Sequence, residues 1–301
     1  PPLLSNEAWS AFEPFAFEVR HNDQILFSVL RRRQASRAVQ SEGRKMLDLS
    51  TVRIAFLGFG NMASAMADGW IRSGAVKPEQ LGAASRRQDV LEARTKARGM
   101  KAFATCEEAA RWADVVVVKP IRGILKDRLV LSVAVGRLFD FYESILESGT
   151  RHLSTLPNTP VSINEGIVIC EARHSMTLDD EAFVEQLFAK LGLAEFADEK
   201  MMSAAGTLAG CGPAFAAMFI EALADGAVKH GVPRAAAYSL ASQMLAGTAK
   251  LQLETGAHPG AMKDAVCSPG GTTIIGVAAL ERKGFRSAVI DAIDAIETRS
   301  R

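Results

Sequence analysis

Short apolar runs mark the amino-terminal half of the chain. Two of them, residues 113–118 and 128–133, are mostly aliphatic and show no regular polar alternation, which is typical of strands buried on both faces of a parallel sheet. The runs that predict strands are residues 52–58, 81–85, 113–118, 128–133, 151–156 and 163–171. Because helical patterns lie between several of these runs, the sequence predicts an α/β domain.

From about Ala197 onward, helical patterns separated by glycine and proline replace the strands. The predicted helices are residues 199–209, 213–231, 234–255, 259–266 and 272–283. Residues 213–228 are apolar nearly all round, which a helix tolerates only inside a bundle or at an oligomer interface. We therefore predict an all-α second domain that dimerises.

A glycine turn follows the first apolar run. It contains Gly58 and Gly60, with Ala63 three residues later, and it leads into a helical pattern. In a dinucleotide-binding turn the first glycine permits the tight turn, the second lets the backbone approach a pyrophosphate, and the third small residue allows helix and strand to pack closely. The pattern favours a dinucleotide site, and the alternative is a glycine turn without a nucleotide.

The end of the second predicted strand indicates which nucleotide. NAD sites usually carry an Asp or Glu there for the ribose hydroxyls, whereas this chain has Ser85, Arg86 and Arg87. A guanidinium can pair with a 2′-phosphate in a bidentate manner, so NADPH is favoured over NADH, with NADH still possible. The alternative is a solvated basic helix start, because Asp89 follows closely.

A second glycine-rich turn lies about two hundred residues later. Ser268, Pro269, Gly270 and Gly271 break the chain, and an apolar helical pattern begins at Thr272. The free N–H groups at such a helix start favour a carboxylate or a phosphate. The alternative is a loop and helix cap with no ligand.

Composition fits a soluble enzyme of two cores. The chain has 301 residues, 48% apolar content and a formal net charge of +1, so it carries no nucleic-acid footprint. We expect no metal site, no apolar run of membrane length and no membrane partner. Four cysteines without zinc spacing or a disulfide framework predict a reducing, cytoplasmic location.

Residues 1–45 are predicted to be an extension outside the enzyme core. This extension is either a disordered arm or an irregular segment upstream of Met46. They include a basic run at Arg31, Arg32 and Arg33. An organellar presequence is the minority interpretation, because this segment also contains acidic residues such as Glu7 and Glu13.

Seven motifs occur in one order along the chain and together resemble the pyrroline-5-carboxylate reductase family. The motifs are GFGNMA at Gly58, VKP at Val118, PNTP at Pro157, GCGPAF at Gly210, EALADGAVKHGVPR at Glu221, TGAHPGAMKDAVCSPGGTTI at Thr255 and LERKGFR at Leu280. The resemblance implies an NADP-binding Rossmann domain at residues 46–196 and a helical dimerisation and substrate domain at residues 197–301. It also implies a homodimer, which can assemble into a larger oligomer. The implied active site lies where the two domains meet and is often completed by the partner subunit.

The resemblance further assigns individual residues. The implied cofactor residues are Gly58, Phe59, Gly60, Asn61 and Met62 at the pyrophosphate, Ser85 and Arg86 at the 2′-phosphate, and Val118, Lys119, Pro120, Ala134 and Gly136 beside the nicotinamide. The implied residues for the small-molecule substrate are Ser268, Gly270, Gly271, Thr272 and Thr273. The Thr273 hydroxyl is the expected catalytic group, which would hydrogen bond the ring nitrogen during reduction of 1-pyrroline-5-carboxylate to L-proline.

The chain also departs from the family pattern. The segment between Asp114 and Ser132 is shorter than usual, Cys106 and Ala265 stand where asparagines are common beside the cofactor, and Cys211 replaces a serine. Two alternatives to the reductase therefore stay open. One is a catalytically weakened homologue that acts as a binding or regulatory protein, and the other is a reductase of a related cyclic imine acid.

Three polar residues are predicted to have structural roles. Asp225 is expected to pair with an arginine or cap a loop, as is Glu221 one helical turn before it. His258 precedes Pro259 and is expected to cap or turn the chain. Asn158 is expected to fix its loop through its amide and not to catalyse.

Overall fold

A computed structural model describes residues 46–118 and 125–299. Its amino-terminal part is built on eight strands: β1 (Ile54–Leu57), β2 (Leu81–Ala84), β3 (Lys101–Phe103), β4 (Val115–Val118), β5 (Leu129–Ser132), β6 (Arg151–Pro157), β7 (Gly166–Glu171) and β8 (Gly192–Ala197). They form one sheet in the order β3-β2-β1-β4-β5-β6-β7-β8. All six predicted strands are present, and β3 and β8 are additional.

The sheet is parallel from β3 to β6. Strand β7 then runs antiparallel to β6, and β8 runs parallel to β7. Only a short 3₁₀ helix, Thr159–Ile163, lies between β6 and β7. This connection is too short for the crossover that parallel neighbours need, so the chain reverses.

Strands β1, β4 and β5 are buried along their whole length, as their apolar runs predict. Ile54 and Phe56 belong to one hydrophobic cluster, whereas Ala55 and Leu57 belong to a second cluster on the other face. Trp70 is fully buried in the first cluster, and its indole N–H donates to the Leu187 carbonyl at 3.0 Å. A parallel sheet covered on both sides exposes only its strand ends to ligands.

Ten helices accompany the sheet in the described part of the chain. They are α1 (Asn61–Arg72), α2 (Gln88–Lys96), α3 (Cys106–Trp112), α4 (Phe139–Ile145), α5 (Leu178–Ala189), α6 (Glu199–Lys229), α7 (Arg234–Thr255), α8 (Pro259–Ala265), α9 (Thr272–Arg282) and α10 (Phe285–Arg299). The first five lie within the sheet domain, and the last five follow one another without a strand. Helix α10 was not among the helices predicted from the sequence, whereas the predicted helix at residues 272–283 matches α9.

Helix α6 corrects one prediction. A break was expected at residues 210–212, but the helix runs unbroken for 31 residues through Pro213. A proline inside a helix removes one hydrogen bond without necessarily ending the helix. By length and composition, α6 is also long and apolar enough to cross a membrane. The sequence was expected to contain no apolar run of membrane length. This expectation was wrong for α6, because the sequence analysis divided α6 into two shorter helices.

The predicted division at residues 1–45, 46–196 and 197–301 remains a prediction. Residues 1–45 lie outside the described part of the chain. The change from strands to helices falls between the end of β8 at Ala197 and the start of α6 at Glu199.

Candidate active site

The glycine turn after β1 has the geometry of an anion-binding helix start. Gly58 has φ of +104°, a backbone angle that residues other than glycine rarely adopt. Its N–H donates to the Ala84 carbonyl at 2.9 Å. Gly60 is the N-cap of α1 and makes no side-chain capping hydrogen bond. A Cβ on Gly60 would meet no atom within 4 Å. The first N–H groups of α1 therefore face open space, which fits a pyrophosphate.

Arg94 of α2 and Arg98, which lies just after that helix, support this turn, and the sequence pattern gave no signal for either. Arg94 donates to the Phe59 carbonyl at 3.1 Å. Arg98 makes a bidentate ion pair with Asp68 of α1, at 2.6 and 2.9 Å. The guanidinium groups thus fix both the turn and the helix that would hold the cofactor phosphates.

The end of β2 presents two exposed arginines. Arg86 and Arg87 follow the half-buried Ser85, and no ion pair joins either of them to an acid in the described part of the chain. Asp89, the neighbour that favoured a solvated helix start, pairs with neither. The Gln88 amide donates to the Ser85 carbonyl at 2.8 Å and to the Ala104 carbonyl at 3.1 Å, which fixes the turn. Two unpaired cations next to the glycine turn suit a 2′-phosphate.

Strands β4 and β5 end beside the same edge of the sheet. Val118 is buried, and its carbonyl accepts from the Val133 N–H at 3.1 Å. Lys119 and Pro120, which were predicted to lie beside the nicotinamide, are outside the described residues, as are residues 121–124 of the shortened segment. Strand β4 itself pairs over its full length with both β1 and β5.

The loop after β5 is supported by a buried hydroxyl pair that the sequence did not indicate. The hydroxyls of Ser132 and Tyr142 are hydrogen bonded, and the Ser132 hydroxyl also accepts from the Ala134 N–H at 3.2 Å. Val135 in this loop is 84% exposed, and Gly136 follows it. The loop therefore presents an apolar surface where the sheet is expected to bind its ligand.

His152 lies buried on β6, next to this hydroxyl pair. Its Nε2 lies 2.8 Å from the Glu143 carboxylate, and its ring packs 5.7 Å from the Tyr142 ring. Burial lowers the pKa of His152, although the hydrogen bond to Glu143 acts in the opposite direction. The folded protein therefore favours the neutral ring.

This burial predicts a loss of stability in acid. The ordinary pKa of histidine is about 6.5, and below this pH the unfolded chain binds a proton at residue 152 that the folded chain does not take up. The free energy of unfolding therefore falls as the pH drops toward the lower pKa of the folded protein. We expect the Tm to fall by a few degrees more in the wild type than in His152→Gln between about pH 8 and pH 5.5. Parallel Tm losses in the two proteins would contradict this assignment.

Asn158 and His258 confirm their predicted structural roles. Asn158 is buried, its Oδ1 accepts from the Ile167 N–H at 2.8 Å, and its Nδ2 donates to the Ala209 carbonyl at 3.0 Å. His258 Nδ1 accepts from the Gly260 N–H at 3.0 Å and caps α8. Asp225 pairs with Arg234 at 2.5 Å, which links α6 to α7 and confirms the predicted arginine partner.

The second glycine turn lies between α8 and α9. The Gly271 N–H donates to the Ser268 carbonyl at 3.0 Å, and Gly270 has φ of +71°. Gly271 is the N-cap of α9 and makes no side-chain capping hydrogen bond. Thr272 and Thr273, the first two residues of the helix, are exposed. This turn is therefore a second helix start with free N–H groups.

The two glycine turns are not joined within the described chain by any hydrogen bond or ion pair. The residues predicted to bind the cofactor, where the structure describes them, lie at one edge of the sheet, whereas residues 268–273 lie in the helical part of the chain. Helix α9 has no buried residue. The residues predicted to bind the substrate thus lack, within this one chain, the surroundings that a closed site requires.

The helical domain exposes many large apolar side chains. Those on α6 to α10 are Met201, Leu208, Met218, Tyr238, Leu240, Met244, Leu251, Leu253, Ile274, Ile275, Leu280, Phe285, Val289 and Ile290. Of the 31 residues of α6, only Met202, Thr207, Ala209 and Ala224 are buried. Apolar surface of this extent marks an interface, in agreement with the predicted oligomer.

This fold and this site define a two-domain oxidoreductase that binds a dinucleotide and associates through its helical domain. Residues 199–301 match the family model described as pyrroline-5-carboxylate reductase dimerisation, and residues 53–136 match the model described as NADP oxidoreductase coenzyme F420-dependent. The chain belongs to the pyrroline-5-carboxylate reductase family.

Individual relatives cover most of the chain. It is 41% identical over 258 residues to pyrroline-5-carboxylate reductase of Treponema pallidum, covering 81% of this chain and 98% of the relative. The Escherichia coli reductase is 40% identical over 253 residues, covering 80% of this chain and 94% of the relative. The crystal structure of Plasmodium falciparum pyrroline carboxylate reductase with NADP bound has a TM-score of 0.74 and 28% identity, covering 83% and 97% of the two chains.

Proposed function

We propose that this protein reduces 1-pyrroline-5-carboxylate to L-proline with NADPH, and that NADH can replace NADPH less well. The observation that carries the proposal is the pair of uncapped helix starts, one behind Gly60 and one behind Gly271. The first suits a pyrophosphate and the second suits the carboxylate of a small substrate. The identity of the substrate is proposed from the relatives, which are pyrroline-5-carboxylate reductases.

The cofactor half of the site is assigned as follows. The backbone N–H groups at the start of α1 bind the pyrophosphate, with Gly58 and Gly60 giving it access. Ser85 and Arg86 bind the 2′-phosphate. Val118, Ala134 and Gly136 lie beside the nicotinamide, together with Lys119 and Pro120. NADPH, when bound, supplies the hydride that is transferred to the imine carbon of the substrate.

The substrate half is assigned to the turn before α9. The backbone N–H groups of Gly270, Thr272 and Thr273 bind the substrate carboxylate, while the Gly271 N–H holds the turn through the Ser268 carbonyl. The Thr273 hydroxyl hydrogen bonds the ring nitrogen and relays a proton from solvent to it, as hydride addition at the imine carbon converts the imine into an amine. Orientation and charge placement are then the main contributions of the protein, because the imine is already an electrophile.

A homodimer completes this arrangement. The exposed apolar helices of one subunit cover those of its partner, and the partner brings a sheet domain to the exposed turn at residues 268–273. We place the protein in the cytoplasm, since its four cysteines are free thiols in the structure.

The assay that tests the function measures NADPH oxidation and proline formation with pyrroline-5-carboxylate. Proline formed in proportion to the NADPH consumed supports the reductase. Consumption only with a six-membered cyclic imine acid would identify a related reductase. A folded dimer that binds NADPH without turnover would identify the weakened homologue, which the thiol of Cys106 and the methyl of Ala265 in place of amides would explain.

The exposed arginine after β2 predicts the cofactor preference. We expect Arg86→Ala to raise the KM for NADPH about tenfold and to leave the KM for NADH unchanged, because only NADPH carries the 2′-phosphate. Steady-state kinetics with each cofactor provide the test. Arg72→Ala, which removes an exposed arginine at the far end of α1, is the control. An equal change for both cofactors would contradict the assignment.

A further inference from the structure

Pro213 leaves one carbonyl of α6 without its helical donor. In an α-helix each N–H donates to the carbonyl four residues earlier, and proline has no N–H. The residue four positions before Pro213 is Ala209, and the proline ring also crowds that carbonyl. A buried carbonyl without a donor is destabilising, so its hydrogen bonding must be provided from elsewhere.

Asn158 provides that hydrogen bond from the sheet domain. Its Nδ2 donates to the Ala209 carbonyl at 3.0 Å, across 51 residues of sequence. Its Oδ1 accepts from the Ile167 N–H at 2.8 Å, and its own N–H donates to the Ile167 carbonyl at 3.1 Å. Both side-chain partners are backbone groups of fixed polarity, so only one orientation of the amide satisfies them.

The turn that carries Asn158 lies beside the glycine turn. It follows the carboxyl end of β6, at the ligand-binding edge of the sheet. Thr159, the next residue, lines one cleft together with Asn61 at the start of α1. A shift of this turn therefore changes the surroundings of Asn61, one of the residues proposed to bind the pyrophosphate.

We propose that Asn158 is a positioning residue that holds the turn at residues 157–160 onto the dimerisation helix through the carbonyl that Pro213 frees. The inference rests on the proposed reductase function. Because α6 carries apolar dimer surface on its exposed side and the Asn158 bond on its buried side, the position of the turn depends on the packing of this helix. A change in the packing of α6 at the dimer interface would thereby move the turn at this edge of the sheet.

A double-mutant cycle tests the hydrogen bond itself. We expect Asn158→Ala to lower the Tm by about 3–8 °C, because it leaves the Ala209 carbonyl buried without a donor. Adding Pro213→Ala should restore most of this loss, because residue 213 then donates to Ala209 within the helix. Additive Tm changes in the double variant would overturn the assignment.

Kinetics separate positioning from stability. In Asn158→Ala we expect kcat to fall about tenfold and the Kd for NADPH to rise about threefold, and both changes should persist in the double variant although its Tm recovers. Recovery of kcat together with the Tm would mean that Asn158 only stabilises the fold. An unchanged kcat in Asn158→Ala would likewise overturn the proposal.

Asn164→Gly is the matched control. This asparagine also joins two carbonyls, of Gly69 at 2.8 Å and of Lys190 at 2.6 Å, but it does not contact α6. We expect it to lower the Tm without lowering kcat. If the wild type reduces no pyrroline-5-carboxylate, the proposed function fails, whereas the Tm cycle and the NADPH affinities still decide whether Asn158 holds the turn.

Discussion

Replacement of Thr273 by alanine is expected to lower kcat with pyrroline-5-carboxylate by about 100-fold. Thr273 is the second residue of α9 and is exposed beside the uncapped N–H groups that we assign to the substrate carboxylate. A carboxylate held there places the ring within reach of this hydroxyl. Without it, the nitrogen loses its hydrogen bond as its charge changes, which affects the transition state more than substrate binding.

Two neighbouring variants make this test specific. Thr273→Ser keeps the hydroxyl and should retain kcat within about threefold, since only a methyl group is lost. Thr272→Val removes the adjacent hydroxyl but keeps the backbone N–H, so it should change kcat little. The KM and kcat of all four proteins are measured with NADPH saturating. A Thr273→Ala protein with wild-type kcat would remove Thr273 from the catalytic role.

A charge in the apolar face of α7 is expected to abolish both the dimer and the activity. Leu240, Met244 and Leu251 lie at helical spacing on one face of this helix and are 64%, 47% and 54% exposed in the single chain. In a twofold dimer Leu240→Asp would bury two carboxylates without partners, which costs several kcal/mol in total. The monomer should bind NADPH and show less than about 1% of wild-type kcat/KM, because its substrate turn lacks the partner.

Light scattering and kinetics on the same samples test this prediction. The control is Leu178→Asp, which places the same charge on a leucine of the sheet domain that is 53% exposed, at the first position of α5, where an acid is favourable. It should remain dimeric and active. A monomeric Leu240→Asp protein with full activity would show that each chain forms its site alone.

The parts of the site that depend on local chemistry could be predicted from the sequence. Gly58 needs its unusual φ because of its own turn, and Arg86 follows a strand end, so short patterns indicated both. The roles of Arg94 and Tyr142 were missed because their partners, the Phe59 carbonyl and the Ser132 hydroxyl, are distant in sequence or unmarked by any motif.

The fold was predicted with the same limits. Strands with apolar runs were found, whereas the three-residue β3 and the half-exposed β8 were not, since their burial pattern is weak. The break expected at residues 210–212 was wrong for a related reason. Glycine and proline normally end a helix, but α6 continues, and Asn158 donates to the Ala209 carbonyl that Pro213 leaves without its helical donor.

The uncovered helices also have a consequence for how the protein behaves when it is scarce. If folding of α6 to α10 is completed by association, the free energy of unfolding depends on subunit concentration, and the Tm rises as the protein is concentrated. Specific activity then declines on dilution, with a midpoint at the dimer dissociation constant. Newly synthesised subunits would expose this apolar surface until they dimerise. Rapid expression is therefore expected to cause more aggregation than slow expression.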